Sequence, residues 1–332
     1  MTETQALIDQ ILKAAMRRSS VIDARHEGAF RLFAGFYEGE PRLLLDVYAT
    51  TMVVHDYSAR EAPLPIDAIV DAVLSTFPWL TAALLKRRDA PGASARNGVL
   101  IRGSRSATRI REDGVRYAVN LCLNQDCSFY LDTRVLRGWA RASLNGKRVL
   151  NTFAYTGSLG VAAAAGGARV LHIDLNPLFL NVAKDSYALN GLPVQRADFW
   201  PGDFFPALTR LNRQGERFDS VLLDPPFFAR TGAGTVDTEN ALPRLINKCR
   251  PLVADGGTLV VVNNAVFVSG QTFLTELGGL CADGYLTIER TLDVPADVAG
   301  YPETRIGQPP ADPSPFNHST KIVVMRVRRK SA

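Results

Sequence analysis

The chain has 332 residues, of which 46% are hydrophobic and 21% charged; that is room for two domains at ~150 residues each and too apolar for an extended disordered chain. No apolar run approaches the ~18 residues a membrane span needs, and the 4 cysteines are too sparse for a disulfide scaffold. Lysine and arginine number 38 against 33 acidic residues, a net charge of +5, which is compatible with a phosphate-bearing partner without specifying one.

The first stretch, MTETQALIDQILKAAMRRSS, places Leu7, Ile8, Ile11, Leu12, Ala15 and Met16 at helical spacing, so residues 1–24 are expected to form an N-terminal helix rather than a signal-peptide core. A reducing cytoplasm is the expected location. Residues 25–137 read as a small α+β accessory domain. Its strongest features are the runs Leu43 to Tyr48 and Met52 to Tyr57, which predict a hairpin. From Ile66 to Arg88 the apolar period is helical, with Phe77, Leu80, Leu84 and Leu85 as a core stripe and Lys86-Arg87-Arg88 as a basic C-terminal turn. RDAPGASARNG is a linker, and short strands follow at Gly98 to Arg102 and Thr108 to Arg111, with a further strand ending at Asn120.

Residues 138–332 change character. Apolar runs at Arg148 to Phe153, Arg169 to Asp174, Val194 to Phe199, Phe218 to Leu223 and Gly257 to Asn263 alternate with helical segments such as Gly157 to Ala165 and Leu178 to Asn190. That alternation predicts a doubly wound α/β domain, mostly parallel. The runs Leu286 to Val294 and Lys321 to Val327 follow the last long helix and predict an antiparallel terminal pair.

The first of these strands runs into NTFAYTGSLG, a glycine turn opening a helix, which directs backbone N–H groups and a positive dipole end into the crevice beyond the strand. Gly157 is expected to allow close backbone approach there. The second strand ends at Asp174, placed to accept hydrogen bonds from both hydroxyls of a ribose. In ADFWPGDFF, Asp203 is preferred to Asp198 as acceptor for an exocyclic adenine amine, with Phe204 packing on the ring. The turn lacks the full GxGxxG that cradles a pyrophosphate, so S-adenosylmethionine fits better than a dinucleotide.

The fourth strand ends in Asp224-Pro225-Pro226-Phe227. Two prolines fix φ and remove two donors. An acid, a rigid carbonyl and an aromatic ring suit one task, which is to hold a planar amine in line with a methyl donor. No Cys/His cluster has metal-ligand spacing, so no metal is expected.

Taken together, FAYTG, IDLN, GDFF and LDPPFF resemble a class I S-adenosylmethionine-dependent methyltransferase with a Rossmann-like sheet. The upstream NQDCSFYLDTR and the hairpin region RLFAGFYEGEPRLLLDVY are similar to bacterial large-subunit rRNA methyltransferases of the cytosine-C5 and guanine-N families. The resemblance implies that Phe153, Tyr155, Thr156 and Gly157 line the methionine end of the cofactor. It gives the ribose to Asp174, the adenine to Asp203, and the target to the residues from Asp224 to Phe227. It also implies that Gln125 and Tyr130 close over the cofactor, that the accessory domain contacts RNA, and that rRNA is the partner. Tyr155 stands where many such enzymes have glycine.

The cytosine-C5 enzymes need a cysteine nucleophile, which in the enzymes of this resemblance follows the fifth strand. Here that place reads VVVNNAVF, with Asn263 and Asn264. These asparagines are similar to the guanine-N branch, so transfer to a base amino nitrogen is expected. The alternatives are a protein or small-molecule acceptor, a cytosine-C5 rRNA enzyme as in the related family, and, last, a non-catalytic module that binds the cofactor or RNA. His318 is expected to be structural, and Arg326, Arg328, Arg329 and Lys330 to form a solvated basic end.

Overall fold

The computed structural model describes residues 2–329. Lys330 lies outside them. The chain forms two compact units, the first running up to Leu131 and including Pro295–Gln308, the second comprising Asp132–Val294 and the chain from Pro309 onward. The division thus falls at Leu131/Asp132 rather than 137/138, because the helix that opens at Arg134 packs within the second unit. No described helix is long and apolar enough to cross a membrane.

In the first unit, α1 (Glu3–Met16) is capped by Thr2, whose hydroxyl accepts the Gln5 N–H. Its Ile11, Ala14 and Ala15 join the core of the unit, so the N-terminal helix is part of this domain and not a separate segment. A five-stranded sheet follows: β1 (Ala29–Phe33), β2 (Leu43–Tyr48), β3 (Thr51–Asp56), β4 (Ala82–Arg87) and β5 (Val99–Arg102), paired in chain order. β2 and β3 form the expected hairpin. β3 and β4 are parallel and are joined through α2 (Ile66–Thr76). A short helix, α3 (Ala93–Asn97), precedes β5, and the hairpin β6 (Arg109–Glu112) and β7 (Val115–Ala118) stands apart.

The expected long helix from Ile66 to Arg88 is therefore two elements. Pro78 disfavours helical backbone at Phe77, and the chain beyond it pairs with β3 as a strand. Phe77, Leu80, Leu84 and Leu85 are buried as expected, but in a loop and a strand. Lys86 is no helix cap. Its buried ammonium donates to the carbonyls of Asn97, Asn124 and Asp126 at 2.5, 2.9 and 3.0 Å.

The segment 295–308 is held to this unit by a buried ion pair. Arg18 donates through both terminal nitrogens to Glu38 at 2.8 and 2.9 Å, and also to the carbonyl of Asp297 at 2.8 Å. Glu38 in turn accepts from the Ala34 N–H and the Thr304 hydroxyl.

The second unit is a seven-stranded sheet flanked by helices. In chain order it comprises α4 (Arg134–Ser143), β8 (Arg148–Thr152), α5 (Ser158–Ala165), β9 (Arg169–Asp174), α6 (Pro177–Leu189), β10 (Phe199–Pro201), α7 (Phe204–Arg213) and β11 (Phe218–Leu223). A small hairpin of β12 (Phe228–Arg230) and β13 (Thr235–Asp237) leads to α8 (Leu242–Cys249), β14 (Val253–Asn263), α9 (Gly270–Cys281), β15 (Leu286–Leu292) and β16 (Lys321–Val327).

The strand order is β10-β9-β8-β11-β14-β16-β15. The first five strands are parallel, and β16 runs antiparallel to β14 and β15, as expected for the terminal pair. Burial on both faces explains the apolar runs Val221 to Leu223 in β11 and Leu259 to Val262 in β14. The strand expected from Val194 begins only at Phe199, since Val194 is exposed and Arg196–Asp198 forms a single 3₁₀ turn. At the basic end, Arg326 pairs with Glu289 and Arg329 donates to the carbonyls of Pro251 and Val253, so these two are tied to the unit rather than free in solvent.

Arg18→Met should leave Glu38 as an uncompensated buried charge and lower stability by about 3–5 kcal/mol. Urea unfolding of the full chain measures this, and an unchanged midpoint would contradict the clasp.

Candidate active site

At the end of β8 the backbone enters an unusual conformation. Phe153 and Tyr155 both have φ of +50° and Gly157 has +77°, so left-handed residues recur at every second position. For the two non-glycine residues this costs of order 1–3 kcal/mol each. Tyr155 therefore occupies a position whose backbone favours glycine. The loop is fixed from the next strand, where the Asp174 carboxylate accepts the N–H of Tyr155 at 2.7 Å and that of Asn176 at 2.8 Å. Hydrogen bonds to a charged acceptor contribute about 1.5–3 kcal/mol each, which offsets the strain. Burial raises the pKa of Asp174, and these two N–H groups oppose the rise.

Gly157 is required for two reasons. Its φ is positive, and a Cβ there would lie 2.6 Å from the Cβ of Ala183 on α6. Gly160, one turn into α5, sits so close to the sheet that a Cβ would lie 2.3 Å from Cε1 of His172. His172 is buried, and its Nδ1 and Nε2 lie 3.3 and 3.0 Å from Asn151 Nδ2 and the Tyr187 hydroxyl. Desolvation lowers its pKa to about 3, so it is a neutral packing group.

Along the same edge of the sheet, Phe153 stacks on Phe204 with centroids 4.5 Å apart. Phe204 is buried at the start of α7, and Asp203 caps that helix by accepting the Phe205 N–H at 2.9 Å. Thr156 is buried in the loop. Leu175 and Leu178 are exposed just beyond Asp174. Gln125 and Tyr130 belong to the first unit, where Gln125 is exposed and the Tyr130 hydroxyl donates to Asp126 at 3.0 Å.

Asp224 ends β11, beside β8. Burial raises its pKa to about 7; the nearby Asp132 charge adds to the rise and Arg137 opposes it. Asp132 and Arg137 come from the start of the second unit, with Asp132 accepting from the Thr320 hydroxyl at 2.7 Å and Arg137 donating to the Thr133 hydroxyl at 2.8 Å. Pro225 is buried, whereas Phe227 is 43% exposed. The loop is braced from its carbonyls: Pro225 accepts from the Asn264 amide at 3.4 Å, and Phe227 accepts from the N–H and hydroxyl of Thr238, both at 3.1 Å. Asn263 donates to the Thr238 carbonyl at 3.4 Å and accepts the Ala265 N–H at 2.9 Å. The Oδ1 of Asn264 is buried without a partner. His318 accepts the Thr320 N–H through Nδ1 at 2.9 Å.

Residues 84–303 match the S-adenosylmethionine-dependent methyltransferase family. The chain belongs to that family. It is 31% identical over 307 residues to ribosomal RNA large subunit methyltransferase I of Photobacterium profundum, covering 88% of this chain and 76% of that protein. It is 30% identical over 312 residues to the enzyme of the same name from Vibrio cholerae, covering 89% and 77%. Among solved structures, the fold is shared with SMU.776 in complex with S-adenosylhomocysteine, at a TM-score of 0.84 and 20% identity over 98% of this chain and 82% of that one. It is shared also with the SAM-dependent methyltransferase from Agrobacterium tumefaciens, at a TM-score of 0.63 and 21% identity over 91% and 90%.

The methyltransferase uses S-adenosylmethionine, and the crevice residues fit that cofactor. The stretch from Thr152 to Gly160 contains no lysine or arginine to meet phosphates. Its N–H groups at Ala154, Tyr155 and Gly157 are already taken, by the carbonyl of Ile173, the Asp174 carboxylate and the carbonyl of Ala154, so the loop is held in shape by the chain itself. The loop-bracing role of Asp174, the close packing of Gly160 on His172, the pair Asp132 and Arg137, and the support from Thr238 and Asn264 were not identified by the sequence reading. A glycine three residues after Gly157 was the one available signal, since it marks close helix–strand approach in nucleotide-binding turns.

Because the folded state holds the Asp224 proton more tightly than the unfolded chain does, its stabilising contribution is fully present below the unfolded pKa of about 3.9 and is lost as pH rises through about 7. Asp224→Asn, neutral at every pH, should raise the melting temperature above wild type at about pH 8, with the gain shrinking towards pH 5. An equal difference at both pH values would remove Asp224 as a buried titrating group.

Proposed function

We propose that this methyltransferase transfers the methyl group to an amino nitrogen of a base in large-subunit rRNA, in the cytoplasm. The observation that carries the reading is Asp224, a carboxyl raised to about 7, followed by the braced Pro225 carbonyl and the exposed ring of Phe227. The rRNA acceptor is supported by the similarity to ribosomal RNA large subunit methyltransferases, and the first unit is assigned RNA contact on the same basis.

When bound, S-adenosylmethionine supplies an electrophilic methyl group on a sulfonium centre. Phe153, Tyr155, Thr156 and Gly157 would hold its methionine end, Asp174 its ribose, and Asp203 with Phe204 its adenine. Gln125 and Tyr130 are assigned to the cofactor by resemblance alone. Phe227 stacks on the target base, extruded from its neighbours. The Asp224 carboxylate and the Pro225 carbonyl accept hydrogen bonds from its amino group and orient the nitrogen. On methylation the amino nitrogen would give up a proton, which Asp224 would accept; a base near neutrality is matched to that task.

Carbon-5 methylation requires a thiol. In the second unit, Cys249 is fully buried within α8 and Cys281 is half-buried at the end of α9, and burial raises the pKa of both thiols. Cys122 and Cys127 belong to the first unit, where burial pushes the Cys127 thiol up to about 12.

Transfer to rRNA from labelled cofactor tests this. Asp224→Ala should retain cofactor affinity and lose transfer by about a hundredfold or more, while Asp174→Ala should lose cofactor binding. Wild-type transfer should rise with pH to a plateau above about 7. A variant with all four cysteines replaced by serine or alanine should remain active; its complete loss of transfer, with fold and cofactor binding intact, would indicate a covalent mechanism instead.

A further inference from the structure

Among the described residues the second unit exposes three aromatic side chains, Phe227, Phe228 and Phe267, at 43, 55 and 64%. All three lie at one place in the fold. β11 and β14 are parallel neighbours, with Leu223 level with Val261, so the loops carrying Phe227 and Phe228 and carrying Phe267 leave the sheet at the same edge. The Asn264 amide, three residues before Phe267, reaches the Pro225 carbonyl.

The hairpin β12–β13 begins directly at Phe228. Its inner face is packed: Val236 is in the core, Ala229 packs against it, and Gly234 rests on Phe205, whose Cε2 a Cβ there would meet at 2.5 Å. Strand alternation turns Phe228 and Arg230 to the opposite face, level with Asp237 and Thr235. The Asp237 carboxylate is occupied by the turn that follows, accepting from the backbone of Glu239 and Asn240 and the side chain of Asn240. No described carboxylate pairs with Arg230.

An anchored hairpin thus presents an exposed ring and an unpaired guanidinium two residues apart, beside the residues assigned to the target base. A second exposed ring comes from the neighbouring strand end. Aromatic rings about half or more exposed are unfavourable in water, and beside a guanidinium they suit a partner with flat, unstacked faces and a negatively charged backbone. We infer that Phe228, Phe267 and Arg230 form a surface for an unpaired RNA segment, the two rings stacking on nucleotides flanking the target and Arg230 meeting a phosphate. This rests on the RNA acceptor proposed above.

The test uses the full chain, a mixed-sequence unpaired RNA oligonucleotide and its duplex form, with binding read by fluorescence anisotropy. Wild type should prefer the unpaired strand. The double variant Phe228→Ala/Phe267→Ala should weaken that binding roughly tenfold or more while melting temperature and S-adenosylmethionine affinity stay unchanged. Arg230→Ala should lower the slope of log affinity against log salt by about one. If wild type binds the unpaired strand and the double variant binds it equally well, or if the duplex binds as tightly, the surface is wrong and the RNA acceptor stands. If wild type binds neither RNA, the acceptor and the surface fall together.

Discussion

A carboxylate at the tip of one strand and a strained loop at the tip of its neighbour hold each other in place, and the cofactor crevice depends on that pairing. Phe153 and Tyr155 would not keep left-handed backbone unaided. Asp174 supplies the restraint by accepting the Tyr155 N–H, and it can do so because β8 and β9 are adjacent and parallel. Gly157 and Gly160 then let α6 and the buried His172 approach α5 without a clash. The crevice is therefore shaped by the chain's own contacts.

The same sheet places the residues proposed for the reaction centre. β11 runs beside β8, so Asp224 emerges from the same edge as the crevice loop. Its raised pKa and the braced Pro225 carbonyl provide two acceptors in a rigid frame. Where a C5 enzyme needs a thiol, this chain has Asn263 and Asn264, whose amides bond to the loops around that frame. Asparagine amides are scaffolding here and not nucleophiles, which supports the proposed transfer to an amino nitrogen.

Much of this was legible in the sequence, because the buried parallel strands carry short apolar runs and the carboxylates proposed for the site follow or end them. Asp174 and Asp224 could be located by that rule alone. The misread segment was Ile66 to Arg88, where the spacing of Phe77, Leu80 and Leu84 satisfies a helical period while Pro78 interrupts it. Lys86 looked like a surface cap because nothing local reveals that its ammonium meets carbonyls from Asn97, Asn124 and Asp126. Partnerships between distant segments were likewise invisible. Arg18 contacts Asp297 across most of the chain, and Asn264 meets Pro225 only because two strands are paired. Local pattern locates strand ends, but it does not show which side chains from elsewhere converge on them.

We propose that this family member modifies a base amino nitrogen without a thiol nucleophile. The most direct measurement is mass spectrometry of nucleosides from large-subunit rRNA of a strain lacking the protein, compared with wild type. One N-methylated nucleoside should be lost and should return when the gene is restored. Loss of 5-methylcytidine instead, or an unchanged rRNA profile, would contradict the proposal.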